Sequence, residues 1–440
     1  ERLQLIQKNE SSVKDIFSAL IDLEFNNESQ IVKVNERVYN DLEFFIDNDN
    51  SINNTIYNKI NYTKTELGNN YLKFTLEKPI YNINLLNQRQ NLLKQYIKLG
   101  DNNIKQINNS LNKINQIQND IVWFWDTKNK KHIDVFKNII FLNYTGVKKI
   151  DGFLNGKEIL LSLNNIYKLY LAPIITVLTP LSAMILPIIL FLIFRKKLPE
   201  QIRKFLTPKK FLSLIFNTFT NFFKSNIFRF FIKDPKKLKL LGYVTSAIWV
   251  LFYLQSIYST INLSKTVNKI VNLIHSKMNS INTFIEETYK ISSICKKLNL
   301  LSYYKIDGNL INKETDAIKN LLNVSILRQE PKLFNNKGRV LSKYYIFNDI
   351  KNRLINLMKY IGIIDLINSN NTLFHKNYNF TNFIDDNKPK IDCKAVWNPF
   401  IDKNSVANDI KIQNNMIITG PNAAGKSTFI KSITINLLLS

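Results

Sequence analysis

The sequence predicts a mainly α-helical protein: a long antiparallel helical pair, an apolar hairpin between its two arms, and the start of an α/β phosphate-loop domain. Three observations predict this fold class. Glycine and proline are scarce, with 11 of each among 440 residues, so few positions interrupt a helix. Apolar residues recur at spacings of three and four, the period of one helix face. A glycine-rich loop with a Lys-Ser pair precedes the last apolar helical pattern.

Two apolar stripes predict the arms of the helical pair. Asn, Gln and Lys fill the positions between the members of the first stripe, which are Ile104, Ile107, Leu111, Ile114 and Ile121. The second stripe consists of Val267, Ile270, Ile274, Met278, Ile281 and Ile285. Such stripes are most simply two helices packed antiparallel by their apolar seams. Separate helices of a globular α-domain are the alternative.

An apolar hairpin is predicted between the arms. Residues 169–194 contain no charge and are followed at once by Arg-Lys-Lys at 195–197. About 20 apolar residues span a bilayer, so this run is a candidate transmembrane segment, and residues 240–258 are long enough to cross back. The first run carries a proline at every seventh position, at Pro173, Pro180 and Pro187. These prolines predict a kinked helix or a re-entrant hairpin. The alternative is a buried core hairpin of a soluble protein.

The loop between the two apolar runs is strongly basic. Residues 195–239 hold 13 Lys or Arg against Glu200 and Asp234, and the whole chain carries a formal charge of +26. Interleaved aromatic residues make this loop an amphipathic surface segment suited to an anionic membrane face. Nucleic acid is the other anionic partner that such a charge indicates. Codon bias explains part of the charge equally well, because the chain is enriched in Lys, Asn and Ile, which AT-rich codons favour.

The charge of this loop leaves the membrane topology open. The positive-inside tendency places the basic loop in the cytosol, but two crossings would then place both flanking regions on the opposite side. There are three ways to resolve this conflict. The hairpin does not cross the membrane fully, or the basic loop is an exception to the positive-inside tendency, or the apolar segment within the loop adds a crossing. We favour a hairpin whose flanking nucleotide site lies in the cytosol.

A phosphate-binding loop is predicted at residues 420–427, whose sequence GPNAAGKS meets the pattern G-x-x-x-x-G-K-[ST] at each fixed position. A β-prone run at 416–419 precedes it and an apolar-striped helix at 427–439 follows. In a strand, loop and helix of this kind, backbone N–H groups and the helix N-terminus surround the phosphates of a nucleotide. The residues expected to bind ATP are Gly420, Pro421, Asn422, Ala423, Ala424, Gly425, Lys426, Ser427 and Thr428. An ordinary glycine-containing turn is the alternative.

Lys426 and Ser427 carry the expected chemistry of this loop. The Lys426 amine would reach the β and γ phosphates, and the Ser427 hydroxyl would bind Mg²⁺. The carboxylate that completes an ATPase site of this type normally lies on a later strand. We therefore expect the ATPase domain to continue beyond residue 440 and assign no catalytic residue. The cysteines and histidines, Cys295, Cys393, His132, His275 and His375, show no metal-ligand spacing, and a reducing compartment fits them.

Several local patterns, taken in order, resemble the MutS family of DNA mismatch repair ATPases. TGPNAAGKST at 419–428 is similar to that family's TGPN-x-x-GKST. Residues 77–94, EKPIYNINLLNQRQNLLK, look like the start of the family's core domain through Pro79, Arg89 and Gln90. Only the first of these matches is specific by itself.

Two further stretches extend the resemblance. Residues 361–369, IGIIDLINS, resemble the stretch where the core returns to the ATPase domain, through Asp365 and Ser369. Residues 396–409 resemble the entry to that domain, although Asn398 stands where the family has His. The positions that match there are Pro399, Asn408 and Asp409. A mismatch-reading domain is not visible in residues 1–75, and the apolar hairpin lies where the family places its DNA-gripping clamp.

The resemblance implies a core, a helical lever and the start of an ATPase domain of ABC/MutS type. It implies ATP and Mg²⁺ as cofactors, DNA as a partner, and a homodimer or heterodimer formed through the ATPase domains. The apolar hairpin indicates membrane lipids as further partners, bound through residues 169–258. The expected segments are an unassigned segment 1–75, core and first arm 76–168, hairpin 169–258, second arm and return to the core 259–369, linker 370–391, and ATPase start 392–440.

Two other functions remain open on the sequence. The phosphate loop is also similar to that of transporter-type ATPases, although the long helical arms do not suit that class. A basic membrane-surface scaffold that binds nucleotide without hydrolysing it is the non-enzymatic alternative. We expect the protein to be associated with a membrane and its ATPase domain to lie in the cytosol. The alternative is a soluble cytoplasmic or nuclear protein.

Overall fold

The computed structural model describes residues 31–47, 54–125, 137, 139–142, 147–223, 234–322, 327–328, 337–376, 378–401 and 406–440. These residues are mostly helical, as predicted. The chain divides into two compact units, unit 1 with residues 1–134, 277–328 and 346–440, and unit 2 with residues 135–276 and 329–345.

The described helices fall into three groups along the chain. Before the apolar hairpin lie α1 (Glu36–Asp41), α2 (Ile56–Ile60), α3 (Glu66–Glu77), α4 (Ile83–Ile97), α5 (Asp101–Val122), α6 (Lys148–Gly156) and α7 (Glu158–Ile166). The hairpin region contains a π-helical turn (Tyr167–Leu171), α8 (Ala172–Phe194), a 3₁₀ turn (Arg195–Lys197), α9 (Glu200–Phe205), α10 (Pro208–Phe223) and α11 (Pro235–Ile294). After it come α12 (Leu300–Tyr304), α13 (Gly308–Leu322), α14 (Lys337–Ile350), α15 (Leu354–Phe374), the antiparallel strands β1 (Ile391–Val396) and β2 (Asn408–Ile412), and α16 (Lys426–Leu439).

The core of unit 1 is built on the crossing of α3 and α15. Two glycines allow the close approach, because a Cβ on Gly68 would lie 2.3 Å from Oδ2 of Asp365 and a Cβ on Gly362 would lie 2.5 Å from Cδ2 of Tyr71. Apolar side chains of α15 are buried along nearly its whole length. The helix continues to Phe374, beyond the boundary at residue 369 that the sequence predicts.

The predicted antiparallel pair is confirmed where both arms lie in unit 1. Ser110 Oγ of α5 donates to Glu287 Oε2 of α11 at 2.6 Å, and Lys277 Nζ of α11 donates to Asp120 Oδ1 of α5 at 2.5 Å. Higher numbers on one helix meet lower numbers on the other, so the two helices run antiparallel. The stripe residues Ile107, Leu111, Ile114, Ile121, Met278, Ile281 and Ile285 are all buried.

Unit 2 packs α14 against α6 and α7. Ser342 Oγ donates to the carbonyl of Gly156 at 3.0 Å, and Lys343 pairs with Glu158 at 3.1 Å. A Cβ on Gly338 would lie 2.2 Å from the backbone nitrogen of Ser162, so α14 and α7 are in backbone contact there. This packing buries Leu161, Val340 and Leu341.

The apolar hairpin of unit 2 consists of α8 paired with the first part of α11. Tyr253 Oη donates to the carbonyl of Val177 at 2.6 Å, and Ser264 Oγ donates to the carbonyl of Leu169 at 2.8 Å. The helix α8 continues through Pro180 and Pro187 without interruption. Proline in a helix removes a backbone hydrogen bond, and a re-entrant loop does not form at either position.

Most of the described apolar side chains of this hairpin are exposed. Two stretches of the described chain, Glu158–Pro180 and Tyr243–Lys297, are long and apolar enough to cross a membrane. Exposed members include Ile174, Ile175, Leu186, Leu192, Ile193, Trp249, Leu251 and Phe252. The exposed apolar surface lies on α8 and on the first part of α11.

Candidate functional site

The candidate phosphate-binding loop connects β2 to α16 in unit 1. Gly425 lies at the N-cap of α16 with φ +80°, a left-handed conformation that glycine adopts without a steric cost. Ala423 has φ +61°, and residues 422–423 form a turn. A Cβ on Gly425 would meet nothing within 4 Å, so it is the backbone conformation, rather than a lack of space, that favours glycine at this position.

The helix that follows the loop begins and ends as predicted to within one residue. α16 spans Lys426–Leu439, and its first intrahelical bond runs from Phe429 N to the carbonyl of Gly425 at 2.9 Å. Its N-cap makes no side-chain hydrogen bond. The N–H groups of Lys426, Ser427 and Thr428 therefore have no intrahelical acceptor, which leaves donors and a partial positive charge at the helix start.

The predicted strand at residues 416–419 is absent. These residues have no regular structure, and Ile417 is 88% exposed. A single strand leaves its backbone groups unpaired, and no described segment of this chain forms a ladder with it. The predicted α/β domain is therefore seen only in part. The residues described between 392 and 440 form one antiparallel pair of strands and one helix.

Lys426 folds back over the loop. Its Nζ donates to the carbonyls of Gly420 and Pro421, both at 2.6 Å. The same amine is therefore held above the turn at 420–425 and close to the start of α16. Ser427 is exposed on the first turn of the helix, and Asn422 and Ala424 are exposed in the loop.

The site is suited to an anion with an attached hard cation. Unpaired N–H groups, the helix dipole and a lysine amine suit phosphate oxygens, and a serine hydroxyl is an acceptable oxygen ligand for Mg²⁺. The described residues contain no group of three or more His, Cys, Asp or Glu that could hold a metal ion without a phosphate. Mg²⁺ keeps several waters and binds through substrate phosphates in sites of this kind.

α16 is tied to the rest of unit 1 by contacts that the sequence does not signal. Asn436 Nδ2 donates to the carbonyl of Trp397 at 2.9 Å, and Arg89 Nη2 donates to the carbonyl of Ser440 at 3.3 Å. Arg89 is one of the family-like positions, whereas Asn436 was not predicted. Asn436 and Trp397 are 39 residues apart, and no local pattern links them.

Three other positions that the resemblance singled out make hydrogen bonds within unit 1. Gln90 Nε2 donates to the carbonyl of Thr381 at 2.7 Å, which joins α4 to the segment before β1. Asp409 Oδ1 accepts the N–H of Ala395 at 2.8 Å across the two strands. Asn398, which replaces the family's His, is buried and accepts the N–H of Phe400 at 2.9 Å. This asparagine stabilises a turn in the structure.

Asp365 and Ser369 both bind the backbone just before α3. The Asp365 carboxylate accepts the N–H of Lys64 at 2.9 Å and of Thr65 at 2.8 Å, and Ser369 Oγ accepts the N–H of Tyr62 at 3.0 Å. Burial raises the pKa of Asp365 to about 6, although the N–H donors oppose that shift. These two side chains stabilise the core and do not contact the phosphate loop.

Comparison with known proteins finds local similarity to mismatch repair proteins. The chain is 31% identical over 173 residues to "DNA mismatch repair protein MutS" of Prochlorococcus marinus (strain AS9601), a match that covers 34% of this chain and 18% of that protein. It is 35% identical over 112 residues to the protein of the same name from Caldanaerobacter subterraneus subsp. tengcongensis, covering 22% of this chain and 13% of that protein. The matched part is thus less than a fifth of each relative's length. No protein-family profile matches the chain.

Proposed function

We propose that this chain forms part of a MutS-related ATPase that binds ATP and Mg²⁺ at residues 420–428. The observation that carries the proposal is the start of α16, where the first N–H groups have no intrahelical acceptor, the Lys426 amine lies over the glycine turn and Ser427 is exposed. Phosphate oxygens would replace the carbonyls of Gly420 and Pro421 as the partners of Lys426. When bound, Mg²⁺ neutralises phosphate charge, and Ser427 supplies its protein ligand.

The test is nucleotide binding and turnover by a full-length protein that includes this chain. Lys426→Ala removes the cation at the phosphates and should abolish hydrolysis and weaken ATP binding at least about tenfold. Its stability should be unchanged, since both hydrogen bonds of Nζ are exposed. Lys411→Ala, at an exposed position of strand β2, removes the same charge and is the matched control.

The result also separates the alternative functions. Turnover retained in Lys426→Ala would contradict the assignment of the loop. ATP binding without turnover in the natural protein would favour a nucleotide-binding scaffold. A transporter-type ATPase would require transport coupled to hydrolysis, which a reconstituted flux assay measures.

The proposal also includes binding of duplex DNA. It is supported by the names of the relatives and by the charge of +26. Contacts to phosphates release counterions, so duplex affinity should fall steeply between 50 and 200 mM salt, by about a factor of ten or more. A salt-independent affinity would argue against an interface with the DNA backbone.

A membrane tether through residues 169–258 is the second proposed function. It is supported by the exposed apolar surfaces of α8 and α11, which no described part of unit 2 covers. The intact protein should float with membranes after an alkaline carbonate wash, and a variant lacking 169–258 should remain in solution. Flotation of neither protein would contradict the tether. We place the ATPase domain in the cytosol, where ATP is available, and expect a dimer through that domain.

A further inference from the structure

Cationic side chains are concentrated at the end of the apolar helix α8. Residues 195–210 hold seven Lys or Arg against Glu200, a net charge of +6 over 16 residues. Glu200 is engaged by Lys204 at 3.1 Å within α9. The exposed cations are Lys196, Lys197, Arg203, Lys204, Lys209 and Lys210.

The start of α10 is folded back onto the end of α8, which brings these cations together. The rings of Phe191 and Phe211 stack with centroids 4.1 Å apart and an interplanar angle of 15°. Phe191 lies one helical turn before the Arg195–Lys197 turn, and Phe211 directly follows Lys209 and Lys210. The basic groups at 195–197 and 209–210 therefore flank one aromatic contact. Together with Arg203 and Lys204 of the intervening helix α9 they form a basic collar, which we define as residues 195–197, 203–204 and 209–210.

Exposed aromatic and aliphatic side chains alternate with the cations of the basic collar. Lys197 Nζ lies 5.7 Å from the ring of Phe194, and Lys210 Nζ lies 4.9 Å from the ring of Phe205. Phe205 is itself 70% exposed. Water is a poor environment for such rings, whereas the boundary between headgroups and acyl chains accommodates a ring and a neighbouring ammonium together.

We propose that the basic collar binds the phosphates of anionic phospholipid headgroups and fixes the end of α8 at the membrane surface. The inference rests on the proposed membrane tether and adds the lipid class. The 23-residue α8 lies on the apolar side of the collar, and the exposed Leu212, Leu214 and Phe216 of α10 lie beside it. These groups enter the acyl region while the lysines remain at the phosphates.

A lipid surface suits the basic collar better than nucleic acid does. A DNA backbone would neutralise the lysines, but it would leave Phe194, Phe205 and Phe216 in water. An anionic bilayer accepts both sets of side chains at once. The charge and the exposed apolar surface of the same residues thus have one common partner.

The experiment measures binding of the full chain to preformed vesicles, added from dilute detergent and separated by flotation. Vesicles contain either phosphatidylcholine alone or phosphatidylcholine with 30% phosphatidylglycerol. The test variant carries Lys196→Gln, Lys197→Gln, Lys209→Gln and Lys210→Gln. The matched control carries Lys98→Gln, Lys105→Gln, Lys313→Gln and Lys388→Gln, four exposed lysines of unit 1. A competition arm adds duplex DNA.

The natural protein and the control should prefer the anionic vesicles, and the test variant should lose that preference. Each lysine near an anionic surface contributes about fivefold in affinity, so four substitutions should lower it at least about a hundredfold. Equal binding to both vesicles by the natural protein, or an unchanged preference in the test variant, would overturn the headgroup site while the tether stands. Absence of binding to either vesicle would overturn the tether and the collar together. Displacement of the vesicles by DNA would assign the collar to nucleic acid instead.

Discussion

The carboxylate of Asp365 accepts hydrogen bonds from the N–H of Thr65 and from Thr65 Oγ1, both at 2.8 Å, across 300 positions of sequence. Thr65 is the N-cap of α3, and its Oγ1 also accepts the N–H of Gly68 at 3.1 Å. The start of α3 is therefore capped twice, by its own threonine and by a carboxylate of α15. The contact lies at the crossing that forms the core of unit 1.

Removal of the Asp365 side chain should destabilise unit 1. Asp365→Ala leaves the N–H groups of Lys64 and Thr65 and the Thr65 hydroxyl without an acceptor in a buried site, at a cost of roughly 2–4 kcal/mol. Urea unfolding measures the loss. Asp316→Ala, on the exposed face of α13, is the matched control and should change stability by about 0.5 kcal/mol or less. Equal losses in the two variants would contradict the capping role.

The Asp365 carboxylate also predicts an unusual pH dependence of the unfolding free energy. Burial raises the pKa of Asp365 in the folded protein to about 6, above the ordinary value of 3.8. The folded state then binds the proton more tightly than the unfolded state, so this group's favourable contribution is complete below about pH 4 and is lost as pH rises through about 6. The difference in unfolding free energy between the natural protein and Asp365→Asn should widen by roughly 1–3 kcal/mol from pH 7.5 to pH 4.5. A difference that does not change with pH would place the pKa of Asp365 at its ordinary value.

Glu287, in the antiparallel pair of α5 and α11, predicts the opposite pH dependence of the unfolding free energy. Burial would raise its pKa, but hydrogen bonds from Lys290, Ser110 and Lys113 outweigh burial and lower the pKa below 4.5. The stabilisation is present above pH 4.5 and is lost as pH falls through the lower folded value. Glu287→Gln should cost about 1–2 kcal/mol at pH 7 and progressively less below pH 4.5 in urea unfolding. A cost that grows on acidification would contradict this assignment.

Substitution of Gly68 tests how closely α3 and α15 approach each other at their crossing in unit 1. Alanine normally favours a helix over glycine by about 1 kcal/mol, yet a Cβ on Gly68 would lie within 2.7 Å of three Asp365 atoms. Gly68→Ala should therefore destabilise unit 1 by roughly 1–3 kcal/mol through overpacking. Gly308→Ala, at the start of α13 where a Cβ meets nothing within 4 Å, should be neutral or stabilising. A stable Gly68→Ala variant would mean that α3 and α15 separate at little cost.

Local periodicity was enough to predict much of the fold. The stripe that contains Ile107 and Leu111 predicted α5 and its antiparallel partner, because a helix face repeats over neighbouring residues. The resemblance also singled out Asp365, but not its partner Thr65, because a contact across 300 positions leaves no pattern in one sequence. Residues 416–419 were wrongly predicted as a strand, since β-propensity forms a strand only where a neighbour completes the ladder. At the loop, the residue types predicted the glycine turn and α16, whereas the folded-back position of Lys426 required the structure.

The helix α8 is long enough to cross a bilayer completely, and we extend the proposed membrane tether to a complete crossing. At about 1.5 Å per residue, the 23 residues of α8 extend about 34 Å, against an apolar core of about 30 Å. Lys197, at the end of α8, and Cys393, on β1 beside the candidate ATP loop, should then lie on opposite sides of the membrane. The Lys197→Cys variant in sealed vesicles should react once per molecule with a membrane-impermeant maleimide, and twice after detergent is added. Cys295 is buried and should not contribute, which the double variant Lys197→Cys, Cys393→Ser verifies. Two modifications on the same molecule in sealed vesicles would show that both sites face one side, and α8 and α11 would then form a hairpin that enters the bilayer without crossing it.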